Sequence, residues 1–387
     1  MKYTLITFLL FILNVSAQKQ IKGIIKSGES NQPIQYVTII GASSGKTTVT
    51  NSEGRFQFTT DVNDKAIIIK HLDYFTKEIK VEQEDVFNIK LTPSTESLEE
   101  IVILSIPIRD EINKAIKTSQ ARFSNNLKLN TYYRELLYIN GMMYQYEDAE
   151  LDYYLQNINK SNTIVRSSRS VKFTNAEAKK FDSITNVNYY WGDLRARISN
   201  EFDFDLVKSI INSKEYDLFI TRKIDSEGTE LNVLNFTPVD GAKKATLTGT
   251  IIYGTTDYLI REIKADLDAK FVSNNEFMQQ QNHRFKRNFY SKTTLFNLYK
   301  GKYALTYTNY RIFGISEVAN QITKVGGFVE LLVDDIATEF PKPKSVDFYD
   351  SEKLTRLKKN YTTKFWEKFN VVPLIYKEEQ MLKQINK

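Results

Sequence analysis

The sequence has no cysteine, and its 387 residues include only two histidines, His71 and His283. A chain without cysteine forms no disulfide, carries no lipidated N-terminal cysteine and offers no thiolate ligand, so its core alone must stabilise it. Two histidines leave little for a zinc site or a catalytic triad, and no H-E-x-x-H or G-x-S-x-G spacing occurs. We therefore expect no enzyme, no bound metal and no cofactor, with both histidines in ordinary surface or structural positions.

Glycine and proline are also scarce, with 15 and 7 residues, which argues against a collagenous or low-complexity chain. The net charge of +6 is small for this length, and no basic stripe is interleaved with aromatic residues. Nucleic acid is therefore not an expected partner. Aromatic residues are abundant instead, with 23 Tyr and 24 Phe, and these residue types favour the half-buried surface of β-strands.

The N-terminus has the pattern of a secretory signal peptide over residues 1–17. Lys2 is followed by an apolar run from Leu5 to Leu13 and by Val15-Ser16-Ala17, a small-residue cleavage site. The run is too short for a membrane-spanning helix, although an uncleaved anchor is the alternative. We predict cleavage after Ala17 and an exported protein of the periplasm or outer membrane.

Residues 20–103 contain many short strand patterns separated by turn residues. In "RFQFTT" the alternation places Phe56 and Phe58 on one face, and Gly54 precedes it in a turn. Such a series predicts a small antiparallel β-sandwich.

The stretch "TVTNSEGRFQF", residues 48–58, resembles the T-D-x-x-G-x-F signature of carboxypeptidase-regulatory-like domains. The ordered match runs from "IKGIIKS" to "LTPSTESLEEIVI". Asn51 stands where this family often has Asp, and Asp73 stands where it often has Gly. The resemblance implies a transthyretin-like sandwich that serves as a docking module or as a spacer. It implies no peptidase activity, because such domains also accompany outer-membrane transporters.

The stretch "GASSGKT", Gly41 to Thr47, looks like a phosphate-binding loop. It has three residues between Gly41 and Gly45 where that motif needs four, and it leads into a strand instead of a helix. We predict a hairpin turn here and no bound nucleotide.

Beyond residue 103 we predict a linker and helix over 104–126, a β-rich domain over 127–349 and a helical C-terminal segment over 350–387. Ile112, Ile116 and Phe123 share one face of the first helix. Asn140-Gly141 predicts a tight hairpin, Thr174 begins a capping box, and residues 203–213 carry a helical stripe. The predicted fold class is mainly β, with an α+β second domain. An N-terminal antiparallel β-sandwich is followed by a larger curved antiparallel sheet with flanking helices.

Residues 231–268 are similar to envelope carriers of the lipoprotein-carrier type, in which an F-x-P stretch precedes G-T-I. That similarity implies a half-barrel that shelters an acyl chain. The alternative is a twisted meander whose concave face is filled by its own helices.

Two further stretches bear on function. "YEDAELDYY" places Asp148, Glu150 and Asp152 on one face of a strand, which we interpret as a solvated face in preference to a calcium site. "FWEKFN", residues 365–370, is similar to a closing segment of envelope proteins that carry this N-terminal domain, and we expect its aromatics to pack on the sheet.

Together these patterns predict an exported, non-enzymatic binding or scaffolding protein of the Gram-negative cell envelope. The alternative is a carrier or sensor of a lipid or another hydrophobic ligand in a half-barrel cavity. The expected partner is an envelope protein or a lipid or glycan ligand, with peripheral association at the outer membrane.

Overall fold

The computed structural model describes most of the chain from Lys19 onward. The described residues are 19–81, 85–94, 97–158, 160–172, 192–280, 283–299, 301–318, 320–351, 353–354, 366 and 369–383. The predicted signal peptide and the helix predicted from Thr174 lie outside them.

The N-terminal unit is a sandwich of two small sheets, as predicted. The first sheet has the order β4-β1-β7 and the second has the order β3-β2-β5-β6. The strands are β1 (Lys19–Ser27), β2 (Thr38–Gly41), β3 (Thr47–Val49), β4 (Arg55–Thr60), β5 (Ala66–His71), β6 (Tyr74–Lys80) and β7 (Val86–Leu91). β1 and β7 run parallel, whereas the other neighbours are antiparallel.

The alternation of "RFQFTT" builds the core of this sandwich. Phe56 and Phe58 are both fully buried, which confirms the predicted face. Gly54 has φ +70°, and a Cβ there would lie 2.5 Å from the carbonyl oxygen of Ile25. The turn before β4 therefore needs glycine both for its backbone conformation and for space.

The strand β8 (Ser97–Ile101) pairs with β12 (Tyr216–Ile224) of the second sheet. The range predicted for the sandwich, 20–103, includes this segment, but no strand was predicted there. Its hydrogen-bonding partner lies far along the chain, so the local sequence does not show which sheet it joins.

The large sheet is antiparallel throughout, and its order is β11-β10-β9-β19-β18-β17-β15-β14-β13-β12-β8, with β16 added beside β17. Its remaining strands are β9 (Leu127–Ile139), β10 (Met142–Asn157), β11 (Lys160–Lys172), β13 (Glu230–Pro238), β14 (Leu247–Gly254), β15 (Ile260–Leu267), β16 (Met278–Gln280), β17 (His283–Tyr299), β18 (Lys302–Val318) and β19 (Gln321–Ala337). The predicted hairpin is confirmed, since Asn140 and Gly141 both have positive φ, as a type I′ turn requires.

Within the described residues, three helices cover one face of this sheet, which we call the helix-side face. They are α1 (Ile108–Arg122), α2 (Arg197–Phe202) and α3 (Asp205–Asn212). Short 3₁₀ turns occur at Leu194–Ala196, Ala269–Asn274 and Ser345–Asp347. Ile112, Ile116 and Phe123 are buried in this core, as the helical pattern predicts.

The sandwich and the C-terminal part of the chain cover the other face, which we call the sandwich-side face. Val49 of the sandwich packs in one cluster with Tyr132 and Tyr307 of the sheet and with Trp366. A helix, α4 (Tyr376–Lys383), lies within the segment predicted to be helical over 350–387, whereas residues 369–375 of that segment are not helical. Within the described part of the chain, no helix combines the length and the apolar character needed to cross a membrane.

Candidate functional site

The acidic side chains of β10 are not a solvated face, so that prediction is wrong. Asp148 and Asp152 are fully buried on the sandwich-side face. Asp148 accepts hydrogen bonds from the Arg169 guanidinium, one of them 3.0 Å long, and Asp152 pairs with Arg166 and with Lys128 at 3.2 Å. The neighbouring strands β9 and β11 therefore supply the opposite charges that make burial of these carboxylates tolerable.

A second buried ion pair lies on the same face, between β9 and β19. Arg134 and Glu330 are 2.5 Å apart, and each is about 2% exposed. Glu330 also accepts a hydrogen bond of 2.7 Å from the Tyr307 hydroxyl, while Arg134 donates to the carbonyl oxygen of Val372 at 2.8 Å. Burial raises the pKa of Glu330, and the Arg134 guanidinium opposes that rise. No pattern in the sequence pointed to this pair, because its members are 196 residues apart.

A cleft of about 420 Å³ lies between the sandwich and the large sheet, and we call it the interdomain cleft. Its sandwich wall comes from β2, from the end of β5 and from Tyr36, which lies two residues before the start of β2. Its sheet wall comes from the turn between β12 and β13 and from β15, β17 and β18. The lining residues are Tyr36, Thr38, Lys70, His71, Leu72, Asp225, Ser226, Glu227, Thr229, Asp257, Arg261, Glu262, Leu295, Phe296, Asn297, Leu298 and Thr306.

Polar contacts join the two units beside this cleft. Lys70 forms an ion pair with Glu227, and Lys223 forms one with Asp73 at 2.9 Å. The hydroxyl groups of Thr76 and Ser226 are 2.8 Å apart. The turn between β12 and β13 therefore touches the sandwich at the end of β5 and the start of β6.

Two cationic side chains and four carboxylates line the cleft, so its wall carries more acidic than basic groups. Arg261 pairs with Asp257, but its Nη1 atom is buried without a hydrogen-bond partner among the described residues. Ligand sites favour domain interfaces with a few convergent polar groups, and they range from about 300 to 1,000 Å³. The interdomain cleft has these properties.

The two histidines occupy different places. His71 lies in the cleft wall, where its Nδ1 accepts a hydrogen bond of 3.1 Å from the backbone N–H of Asp73. Burial lowers the pKa of His71, with the nearby Asp73 carboxylate opposing that change. His283 is buried at the start of β17, and burial lowers its pKa as well. Among the described residues, no three His, Asp or Glu side chains are grouped as metal ligands.

The loop "GASSGKT" is a hairpin turn between β2 and β3, as predicted. The Asp64 carboxylate accepts hydrogen bonds of 2.8 Å from the backbone N–H groups of both Ser43 and Ser44. Burial would raise the pKa of Asp64, but the bonds from Ser44 and Ser43 outweigh it and lower that pKa. The Asp64 carboxylate thus already accepts hydrogen bonds from the backbone N–H groups that a phosphate would need.

Between the helices and the sheet, aromatic side chains fill the space. The ring centroid of Phe202 lies 4.1 Å from that of Phe123, 5.1 Å from that of Phe296 and 5.9 Å from that of Tyr303. A depression of about 390 Å³ beside α2 and α3 is lined in part by the charged residues Glu201, Asp203 and Lys292. This region has the character of a packed core.

Comparison with known proteins identifies the N-terminal unit. Residues 21–103 match the family model of the CarboxypepD_reg-like domain, so the sandwich is a domain of this kind. TonB-dependent receptor P39 of Formosa agariphila is 29% identical over 91 residues, which are 24% of this chain and 9% of the receptor. The chain thus matches a small part of that receptor's length. These two matches indicate an envelope-associated protein.

Solved structures give weaker similarity. A lipovitellin structure concerned with lipid–protein interactions has a TM-score of 0.26 at 8% identity, covering 58% of this chain and 26% of that one. A DUF1329 family protein from Desulfovibrio piger has a TM-score of 0.23 at 11% identity, covering 60% of this chain and 93% of that one. Both scores are too low to carry an argument about fold or function. The half-barrel suggested by residues 231–268 therefore stays a prediction.

Proposed function

We propose that this protein is an exported, non-enzymatic binding or scaffolding protein of the cell envelope, and that its ligand site is the interdomain cleft. The observation that carries the proposal is the cleft of about 420 Å³ whose walls come from both units. A ligand in this position contacts the sandwich and the sheet together. Several carboxylates supply polar recognition groups, as does a guanidinium nitrogen of Arg261 that has no hydrogen-bond partner in the described part of the chain.

The similarity to part of a TonB-dependent receptor supports the envelope location. The predicted signal peptide supports export. Mature protein from the envelope fraction should begin at Gln18 by N-terminal sequencing. Full-length protein that retains Met1 in the cytoplasm would contradict this part of the proposal.

The alternative is a carrier or sensor of a hydrophobic ligand. A carrier needs a continuous apolar cavity, and the best place for one is between the sheet and its helices. Phe123, Phe202, Phe296 and Tyr303 pack against one another there. We therefore favour a polar ligand in the cleft over an acyl chain beneath the helices.

The test compares two tryptophan variants of the mature protein. Asn297→Trp places a large side chain in the cleft wall, whereas Asn88→Trp places the same side chain on an exposed position of β7. Each variant is purified from the native envelope under mild conditions, and native mass spectrometry identifies what remains bound. We expect a protein or glycan ligand that Asn297→Trp loses and that Asn88→Trp retains.

Two outcomes would overturn this assignment. One is stoichiometric phospholipid on the wild-type protein that Asn297→Trp does not displace, which would favour the carrier. The other is a ligand that both variants retain equally, which would place the binding site outside the cleft.

A further inference from the structure

The segment 369–383, which we call the C-terminal strap, lies between the sandwich and the large sheet. It ends in α4 and contacts both units, although the covalent path from the sandwich to the sheet runs elsewhere. That path is short, since β7 ends at Leu91 and β8 begins at Ser97. The strap is therefore a second, non-covalent connection between the two units.

The contacts from the strap to the sheet are buried. Val372 is fully buried against Tyr132, Tyr307 and Leu332 of the sheet. Glu378 accepts a hydrogen bond of 2.8 Å from the Tyr138 hydroxyl. It also lies 3.3 Å from the Arg311 guanidinium. Met381 and Leu382 add apolar contacts to the cluster around Leu136, Tyr138 and Phe328. These groups anchor the strap on the sandwich-side face.

The strap meets the sandwich through a buried apolar contact, in which Val49 shares a cluster with Val372, and through partly buried polar bonds. The Asn51 amide donates to the carbonyl oxygens of Pro373 at 3.1 Å and Leu374 at 3.3 Å. Arg55 also donates to the Leu374 carbonyl and lies 3.2 Å from Glu379. Because water can replace such bonds, they separate more readily than the buried contacts on the sheet side.

One residue of the strap joins all three parts of the molecule. The Oδ1 atom of Asn370 accepts a hydrogen bond of 2.5 Å from the backbone N–H of Thr59 in the sandwich. Its Nδ2 atom donates to the Asp334 carboxylate in β19 of the sheet. The sandwich also makes direct contacts with the sheet, such as the 2.6 Å bond from the Thr47 hydroxyl to the Val333 carbonyl.

We propose that the C-terminal strap is a latch that stays anchored on the sheet and holds the N-terminal sandwich against it. The sandwich moves away from the sheet when the bonds from Asn51 and Arg55 to the strap break together with the Thr59–Asn370 bond and direct contacts such as Thr47–Val333. The bonds from Asn51 and Arg55 therefore supply a share of the free energy that keeps the two units closed. The proposal does not depend on what occupies the interdomain cleft.

Asn51 provides a selective way to open the latch. Its Oδ1 atom accepts the backbone N–H groups of Glu53 and Arg55 at 2.9 and 3.0 Å, which shapes the turn before β4. Asn51→Asp keeps an acceptor for this turn but replaces the donor that faces the strap with a carboxylate oxygen. The carboxylate would then face the carbonyl oxygens of Pro373 and Leu374, which repel it.

The experiment measures the distance between the two units in the full mature chain. Because the chain has no native cysteine, Glu78→Cys in the sandwich and Lys302→Cys in the sheet allow specific spin labelling. Pulsed electron paramagnetic resonance measures the distance between the two labels in the labelled parent, in Asn51→Asp/Arg55→Gln and in the control Asn88→Asp. The control makes the same substitution as Asn51→Asp on an exposed position of β7.

We expect one narrow distance in the labelled parent and in Asn88→Asp. In Asn51→Asp/Arg55→Gln we expect a second distance population, with the ratio of open to closed molecules raised about 10- to 100-fold by the lost bonds. An unchanged narrow distance in the folded double variant would overturn the latch, as would the same change in Asn88→Asp.

Circular dichroism and thermal melting separate latch opening from unfolding of the sandwich. If Asn51→Asp unfolds the sandwich, Arg55→Gln alone decides the question, because it leaves both bonds from Asn51 to the turn intact. Arg55→Gln must then show the second distance population while its melting curve stays close to that of the parent. A single unchanged distance in Arg55→Gln would contradict the proposal.

Discussion

The two faces of the large sheet differ in the balance between aromatic packing and buried charge. On the helix-side face, aromatic rings pack around Phe202 beneath α1 to α3, and the buried Glu201 carboxylate pairs with Lys292. On the sandwich-side face, the buried Arg134–Glu330 pair lies among tyrosines, and Asp148 pairs with Arg169. An apolar core needs only shape complementarity, whereas buried charges need particular partners in particular places. The difference indicates that the helix-side face is the core, while the sandwich-side face is an interface between separate parts.

The largest expected effect comes from opening a cavity in the helix-side core. Phe202→Ala should lower the free energy of unfolding by about 3–5 kcal/mol, because it removes a fully buried aromatic ring. Phe289→Ala is the control, since this side chain is about half exposed, and it should change stability by about 0.5 kcal/mol or less. Urea denaturation measures both. Equal effects of the two substitutions would show that the Phe202 cluster is not a packed core.

A second change isolates the buried pair on the sandwich-side face. Arg134→Met should cost about 3 kcal/mol, because it leaves the Glu330 carboxylate buried without its main partner. The double variant Arg134→Met/Glu330→Met should recover much of that loss, since it removes the stranded charge. Denaturant melts of the single and double variants test this. A double variant less stable than Arg134→Met would mean that the pair itself stabilises the interface.

The third prediction concerns pH. Burial raises the pKa of Asp334 to about 7, with the Asn370 hydrogen bond opposing the rise. The folded protein therefore holds a proton that the unfolded chain releases near pH 4, and stability falls as the pH rises from about 4 to 7. Asp334→Asn should make the fall in the free energy of unfolding over this pH range smaller by about 1–3 kcal/mol.

Thermal melts between pH 4 and 8 measure the effect of Asp334→Asn, with Asp217→Asn on the exposed edge of β12 as the control. Glu147 contributes in the same direction, because burial and the neighbouring Glu135 raise its pKa to about 7. Some pH dependence should therefore remain in Asp334→Asn. A pH profile identical to that of Asp217→Asn would contradict the assignment.

Local patterns in the sequence predicted much of the fold because they report local structure. The Asn140-Gly141 hairpin, the buried face of Phe56 and Phe58 and the helix with Ile112 all follow from residues close together in the chain. The hairpin between β2 and β3 was also predictable, since a strand follows the glycine-rich turn.

Features that depend on distant partners were not predictable. Asp148 looked solvated because its partner Arg169 lies on another strand. Residues 97–101 were included in the range of the sandwich with no strand predicted, whereas strand β8 pairs with β12, which lies far along the chain. The interdomain cleft is lined by the ion pair of Lys70 and Glu227, which are 157 residues apart, and no sequence motif indicates this pair.

The most direct test of the proposed binding site is to find which part of the protein is protected from exchange by its natural ligand. Hydrogen–deuterium exchange is measured on the purified mature protein with and without a detergent extract of its own envelope. We predict protection at residues 70–72 and at the turn of residues 225–229, which form opposite walls of the cleft, with α2 and α3 unchanged. Protection confined to α2 and α3, with the cleft walls unchanged, would contradict it.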